Sequence, residues 1–217
     1  MLLQVEHMEQ GLAQSSPVGA SHPAHLTEIR IHGRGGQGNV IAAYVLAQAA
    51  FEEGIFAQAF PSFGPERRGA PVASFVRFAD RPIHRHCQVL NPDFLIIQDD
   101  GLLHVPGVTA GLRPGGGILI SSSKERRELE MEAVESLPDN VVVLAATELA
   151  NEILGKPLPN TALLAAFLTL TELLPLGALE KALARRFREE TLERNLALAR
   201  EAASRVPAGT WKDSAHA

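Results

Sequence analysis

Cysteine is almost missing from this chain: Cys87 stands alone among 217 residues. One thiol closes no intrachain disulfide and by itself ligates neither an iron–sulfur cluster nor a tetrathiolate zinc. Basic charge is short as well. A formal net charge of −5 argues against a nucleic-acid binder, because neutralising phosphates takes a surplus of Lys and Arg. No apolar run approaches the roughly 18 residues of a membrane helix. The first ten residues carry Glu6 and Glu9 and lack a basic segment followed by an apolar one. No signal peptide is expected, and the cytoplasm is the expected compartment. What is present is ordinary for a folded domain: 46% hydrophobic and 21% charged residues, with length enough for one α/β domain and a substantial core.

Strand and helix signals alternate after a start without hydrophobic period. Residues 1–26 contain Gln-Ser-Ser-Pro, Gly19 and Pro23 and read as a flexible extension. Residues 27–32 alternate Ile29 and Ile31 with polar neighbours, as a strand does. Asn39 is placed to cap an Ala-rich helix over 41–53, with Gly54 as terminator. Residues 72–78 and 83–88 read as a hairpin around a turn at 79–82. Residues 94–98, 117–121 and 141–145 read as short buried strands. Thr147 is expected to cap a short helix ending at Gly155, and Asn160 or Thr161 one over 162–174 that is apolar nearly all round. Helical spacing then continues through Leu179, Leu183, Phe187, Leu192 and Leu196 to Val206. The domain is thus expected over 27–206, followed by a tail at 207–217. The pattern predicts a three-layer α/β fold: a largely parallel sheet with a β-hairpin section and C-terminal helices.

The most unusual stretch is Gly33-Arg34-Gly35-Gly36-Gln37-Gly38, set between a strand and a helix. Glycine loses more backbone entropy on ordering than any other residue, so such a cluster needs a reason. At a strand-to-helix turn that reason is often close backbone approach to a ligand, with amides and the helix N-terminus facing an anion. Three readings stay open: a dinucleotide cradle, a tight structural turn, and a loop facing an anion or partner. The first lacks support, because the acids at the right distance for a ribose, Glu52 and Glu53, fall on the helix and no Walker lysine follows.

A second stretch runs from Phe60-Pro61 through Phe63, Pro65, Glu66, Arg67 and Arg68 to Pro71. Prolines stiffen it, while phenylalanines and paired arginines suit contact with a partner or an anionic ligand better than bare solvation. The remaining candidates are weaker. His84, His86 and Cys87 suggest a metal, yet strand alternation would send Cys87 away from both histidines. Asp99-Asp100 could hold magnesium or shape a turn. Ser121 to Lys124 could assist an anion site or cap a helix, and Ser62 has no evident base partner. The glycine loop, Asp99-Asp100, Ser121–Lys124 and Thr147 are all expected at the carboxyl ends of strands, where open α/β sheets bind ligands. No nucleophile, general base or cofactor anchor accompanies them, as in one part of a larger enzyme.

Glu28-Ile-Arg-Ile-His-Gly-Arg-Gly-Gly-Gln-Gly38, residues 44–53 and Ala57-Gln-Ala-Phe-Pro-Ser-Phe-Gly-Pro-Glu-Arg-Arg-Gly-Ala-Pro71 resemble the gamma subunit of pyruvate or ketoisovalerate:ferredoxin oxidoreductase. Agreement continues through Arg81-Pro82-Ile83, Asn91-Pro92-Asp93 and Gly155-Lys-Pro-Leu-Pro-Asn160, and so spans roughly residues 27 to 190. Gly-Gly-Gln-Gly is shared by gamma components of several 2-oxoacid oxidoreductases; Phe-Gly-Pro-Glu-Arg-Arg-Gly-Ala-Pro is more specific. The resemblance implies a complex that decarboxylates a 2-oxoacid oxidatively, forms an acyl-CoA and reduces ferredoxin. It implies thiamine diphosphate with magnesium on alpha and beta subunits, and iron–sulfur clusters on beta and a ferredoxin-like delta subunit. The gamma chain would hold no cofactor alone. It would help bind coenzyme A through residues 33–38 and contact its partners through Phe60, Pro61, Phe63, Glu66, Arg67 and Arg68. A stand-alone nucleotide-binding protein and a non-catalytic scaffold are the alternatives.

Overall fold

The computed structural model describes residues 26–62, 69–85, 87–132 and 140–214. The elements are β1 (Thr27–Arg34), α1 (Asn39–Glu52), β2 (Phe56–Pro61), β3 (Pro71–Ala79), β4 (Phe94–Ile97), β5 (Gly117–Ser121), α2 (Arg126–Glu132), β6 (Val141–Leu144), α3 (Ala146–Leu154), α4 (Asn160–Thr171), α5 (Leu176–Arg186) and α6 (Glu189–Ser204), with a 3-10 turn at Asp100–His104. One six-stranded sheet has the order β2-β3-β1-β4-β5-β6. β1, β4, β5 and β6 are parallel, and β3 is inserted antiparallel between β1 and β2.

Each central strand is apolar on both faces because both are covered. Ile29, Ile31, Phe94, Ile96 and Leu119 face a core completed by Leu46, Leu163, Phe167, Leu179 and Leu198 from α1, α4, α5 and α6. On the other face Leu95, Ile97, Ile118 and Ile120 meet Leu102 and Leu103 of the 3-10 turn and Leu129 of α2. The three-layer α/β architecture expected from the sequence is the one observed. α4 is buried along ten of its twelve residues, which explains its apolar character on every side.

The hairpin lies elsewhere than expected. β3 pairs with β2 on one side and β1 on the other, whereas the described residues of 83–88 form no strand. Their carbonyls serve another purpose. Arg77, 1% exposed, donates from Nη2 to the Cys87 carbonyl at 2.7 Å and from Nε to Glu28 Oε1 at 2.8 Å. A buried guanidinium needs this full set of acceptors. The strand alternation invoked against a metal at 84–87 therefore does not apply; His86 lies outside the described residues, as do residues 1–25.

The three expected caps are not caps. α1 begins after Gly38, whose φ of 78° is left-handed, and no side chain caps it. Asn39, Thr147 and Asn160 are engaged in contacts between elements instead. The run to Val206 is divided, with α4 ending at left-handed Glu172 (φ 52°) and α5 ending before extended Phe187. The segment read as a tail packs back in its described part. Trp211 is fully buried, stacks on Phe94 with ring centroids 5.9 Å apart, and lies over Gly117. A Cβ at Gly117 would sit 2.7 Å from the indole, so the glycine is there to admit it.

Candidate functional site

β1 delivers the glycine loop to the carboxyl edge of the sheet, and two sets of hydrogen bonds hold it. Gly35 N–H donates to the Ala70 carbonyl at 2.9 Å, and Gly69 N–H donates to the Gly35 carbonyl at 3.1 Å. Within the turn, Gln37 N–H donates to the Arg34 carbonyl at 3.0 Å and Arg34 N–H to Gln37 Oε1 at 2.7 Å. Gly36 (φ 98°) and Gly38 (φ 78°) take conformations that side chains rarely adopt. Gly35 and Gln37 amides are thus already used. Among the described residues no acceptor meets the amides of Gly36 and Gly38.

Asp99, two residues beyond the end of β4, gathers the loop's side chains. Arg34 donates from Nε to Oδ2 at 2.9 Å and from Nη2 to Oδ1 at 3.3 Å, while Gln37 Nε2 reaches Oδ2 at 3.4 Å. The hydrogen bond to Asp99 raises the Arg34 pKa above its usual value. Asp100 accepts the Ser122 hydroxyl at 2.6 Å, and the Ser121 and Thr147 hydroxyls lie 3.1 Å apart. All of these groups except Arg34 line a cavity of about 450 Å³, to which Gly35, Gly36 and Glu148 also contribute. Of the convergence expected at the strand ends, the glycine loop, Asp99-Asp100, Ser121 to Ser123 and Thr147 do line one cavity, whereas Lys124, also expected there, does not. Its ionisable lining is acidic: Asp99, Asp100 and Glu148, with Arg34 committed to Asp99. Among the described residues no group of three His, Cys, Asp or Glu side chains is arranged to hold a metal ion.

Gln98 goes unread in the sequence, and Asn39 reads there only as a helix cap. Asn39 is buried and donates from Nδ2 to the Ile31 and Val72 carbonyls and to Ser74 Oγ. Those acceptors fix its orientation, so Asn39 Oδ1 faces Gln98 and accepts from Gln98 Nε2 at 3.3 Å. Gln98, 1% exposed and on the cavity wall, is left with a buried Oε1 that has no donor. Such an orphan acceptor is uncommon and asks for an explanation. The only sequence hint was a glutamine at the end of an apolar strand, immediately before two aspartates. On the opposite face of the sheet, within β1, His32 accepts from Arg30 Nε at 2.9 Å; burial and the Arg30 charge push the pKa of the imidazole down to about 3.

The acids weighed for a ribose point elsewhere. Glu52 pairs with Arg185 and Glu53 with Lys181, joining α1 to α5. Of the expected contact loop, Phe60 and Pro61 belong to β2, where Phe60 packs on Phe75 at 5.2 Å and lies under the Arg77 guanidinium. Phe63, Glu66, Arg67 and Arg68 lie outside the described residues.

The family described as pyruvate ferredoxin/flavodoxin oxidoreductase matches residues 28–205. The chain belongs to that family. It is 44% identical over 177 residues to the pyruvate/ketoisovalerate oxidoreductases common subunit gamma of Thermococcus kodakarensis, covering 82% of this chain and 95% of the relative. It is 42% identical over 177 residues to the pyruvate synthase subunit PorC of Methanothermobacter thermautotrophicus, covering 82% and 94%. The crystal structure of the pyruvate oxidoreductase subunit PORC of Thermotoga maritima superposes with a TM-score of 0.73 at 34% identity, over 82% of this chain and 96% of that one. The family named in these matches is the one the glycine loop and the Phe-Gly-Pro-Glu-Arg-Arg-Gly-Ala-Pro stretch resemble.

Proposed function

We propose that this chain is the gamma subunit of a 2-oxoacid:ferredoxin oxidoreductase, and that its glycine-loop cavity helps hold coenzyme A in the assembled enzyme. The full reaction cleaves the bond between the carbonyl carbon and the carboxylate of a 2-oxoacid. It releases carbon dioxide, joins the acyl group to the thiol of coenzyme A with loss of a proton, and passes an electron pair to ferredoxin. Thiamine diphosphate with magnesium supplies the carbanion chemistry and iron–sulfur clusters carry the electrons. In this reading both belong to alpha, beta and delta partner chains; a lone Cys87 cannot ligate an iron–sulfur cluster by itself. Pyruvate and ketoisovalerate are the substrates that fit the family best.

The observation that carries the coenzyme A reading is the cavity at the ends of β1, β4, β5 and β6, with the Gln98 acceptor buried beside it. Coenzyme A carries amide N–H and hydroxyl donors along its pantetheine arm. Gln37, pinned between Arg34 and Asp99, keeps the loop open to such an arm. Steady-state kinetics of the assembled complex test this. Gln37→Ala should raise the KM for coenzyme A and leave the 2-oxoacid KM unchanged. A change in 2-oxoacid saturation alone would assign the loop to the substrate side or to a subunit interface.

A stand-alone dinucleotide protein is less well supported, since the two acids that could have held a ribose are committed to Arg185 and Lys181. The 60–71 stretch serves assembly in this reading: Arg67→Ala with Arg68→Ala should weaken complex formation or increase the coenzyme A requirement.

A further inference from the structure

A second cavity, of about 490 Å³, opens on the other side of the glycine loop between α1, α4, α5 and α6. Gly36 and Leu158 line both cavities, so the two adjoin at these residues. Their chemistry is opposite. Ile41, Val45, Leu164 and Phe187 give the second an apolar wall, a composition typical of small-molecule sites. Its rim carries Lys156 and Arg186, both exposed and without a carboxylate partner among the described residues. Arg194, also on the rim, is neutralised by Glu190. The first cavity presents Asp99, Asp100 and Glu148. An anionic phosphate entering there would meet like charge in a partly enclosed space, where repulsion is stronger than in water.

We propose that the groove between α1, α4, α5 and α6 takes the phosphate-bearing nucleotide half of coenzyme A, and the glycine-loop cavity its uncharged pantetheine half. This rests on the coenzyme A reading above and divides the ligand between two sites by charge. Lys156 and Arg186 donate to phosphate oxygens, an arrangement suited to the planar guanidinium in particular. Phe187 and the aliphatic wall cover the base. Gly36 lets the chain pass the shared wall because no Cβ narrows it; nothing lies within 4 Å of where one would sit.

The test uses the assembled complex with two thiol acceptors, coenzyme A and pantetheine, the second lacking every phosphate. The double variant Lys156→Ala with Arg186→Ala changes only exposed side chains, and its thermal unfolding should match the parent. Its KM for coenzyme A should rise about tenfold or more, the loss expected when charge-assisted bonds go, with kcat and the 2-oxoacid KM unchanged. Its KM for pantetheine should not move, and the salt dependence of the coenzyme A KM should flatten. An equal rise for both thiols, or no rise for either, overturns the groove assignment. So does a failure to assemble, which would make the groove a subunit interface. The coenzyme A reading fails separately: Gln37→Ala would then shift neither thiol.

Discussion

Gly38→Ala is the substitution whose consequence can be worked most fully from the geometry. The residue has φ 78° and ψ 27° and starts α1, and an L side chain in that region costs about 1–2 kcal/mol. Its Cβ would also lie 2.5 Å from Asn160 Nδ2, the donor to the Gly38 carbonyl at 3.3 Å. Asn160 must swing away, and losing that bond adds about 1 kcal/mol. The total is about 2–3 kcal/mol, which at about 2–4 °C per kcal/mol lowers the midpoint by roughly 4–12 °C. Gly36→Ala is the internal control: φ is 98°, but an added Cβ meets nothing within 4 Å, so only the backbone part, about 1–2 kcal/mol, remains. Thermal unfolding of the full chain followed by circular dichroism separates the two. Adding Asn160→Ala to Gly38→Ala should lower its midpoint no further, because the bond that Asn160 donates to the Gly38 carbonyl is already lost. Equal midpoints for the two single variants, or a further fall of about 1 kcal/mol in the double, would refute the contact between loop and α4.

Trp211→Ala removes a fully buried indole packed on Phe94 and should destabilise by about 3–5 kcal/mol in the same assay; a midpoint within a degree or two of the parent would mean the C-terminal segment is dispensable. His32 is neutral when folded, with its pKa down at about 3, whereas the unfolded chain takes up a proton near 6.5. Stability should therefore fall as pH drops below about 6.5, by up to about 1.4 kcal/mol per unit from this group. A urea titration series of His32→Gln should show a shallower acid slope, and an unchanged slope would exonerate the histidine. Purified alone, the chain should be colourless and should form no acyl-CoA, which absorbance and a thioester assay would check.

Local signals in the sequence survived best. Alternating Ile29 and Ile31, the apolar runs at β4 to β6 and the helix terminators Gly54 and Gly155 each depend on near neighbours, and each was legible. The glycine loop and the acids and hydroxyls that meet it were found because strand ends share one edge in a parallel sheet. What escaped depends on distant partners. Asn39 reads as a cap, yet its amide is drawn to the Ile31 and Val72 carbonyls. Residues 83–88 read as a strand, yet a buried Arg77 claims their carbonyls. Trp211 lies in a stretch without period, and only Gly117, nearly a hundred residues earlier, explains where it goes.

The bonds between Gly35 and residues 69–70 fasten two loops that sequence treats as separate. A subunit gripping the arginine-bearing stretch would also pull on the glycine turn, since both bonds tie Gly35 directly to the residues that follow that stretch. Lengthening the segment between Pro61 and Gly69 would slacken that linkage without touching either loop's own residues.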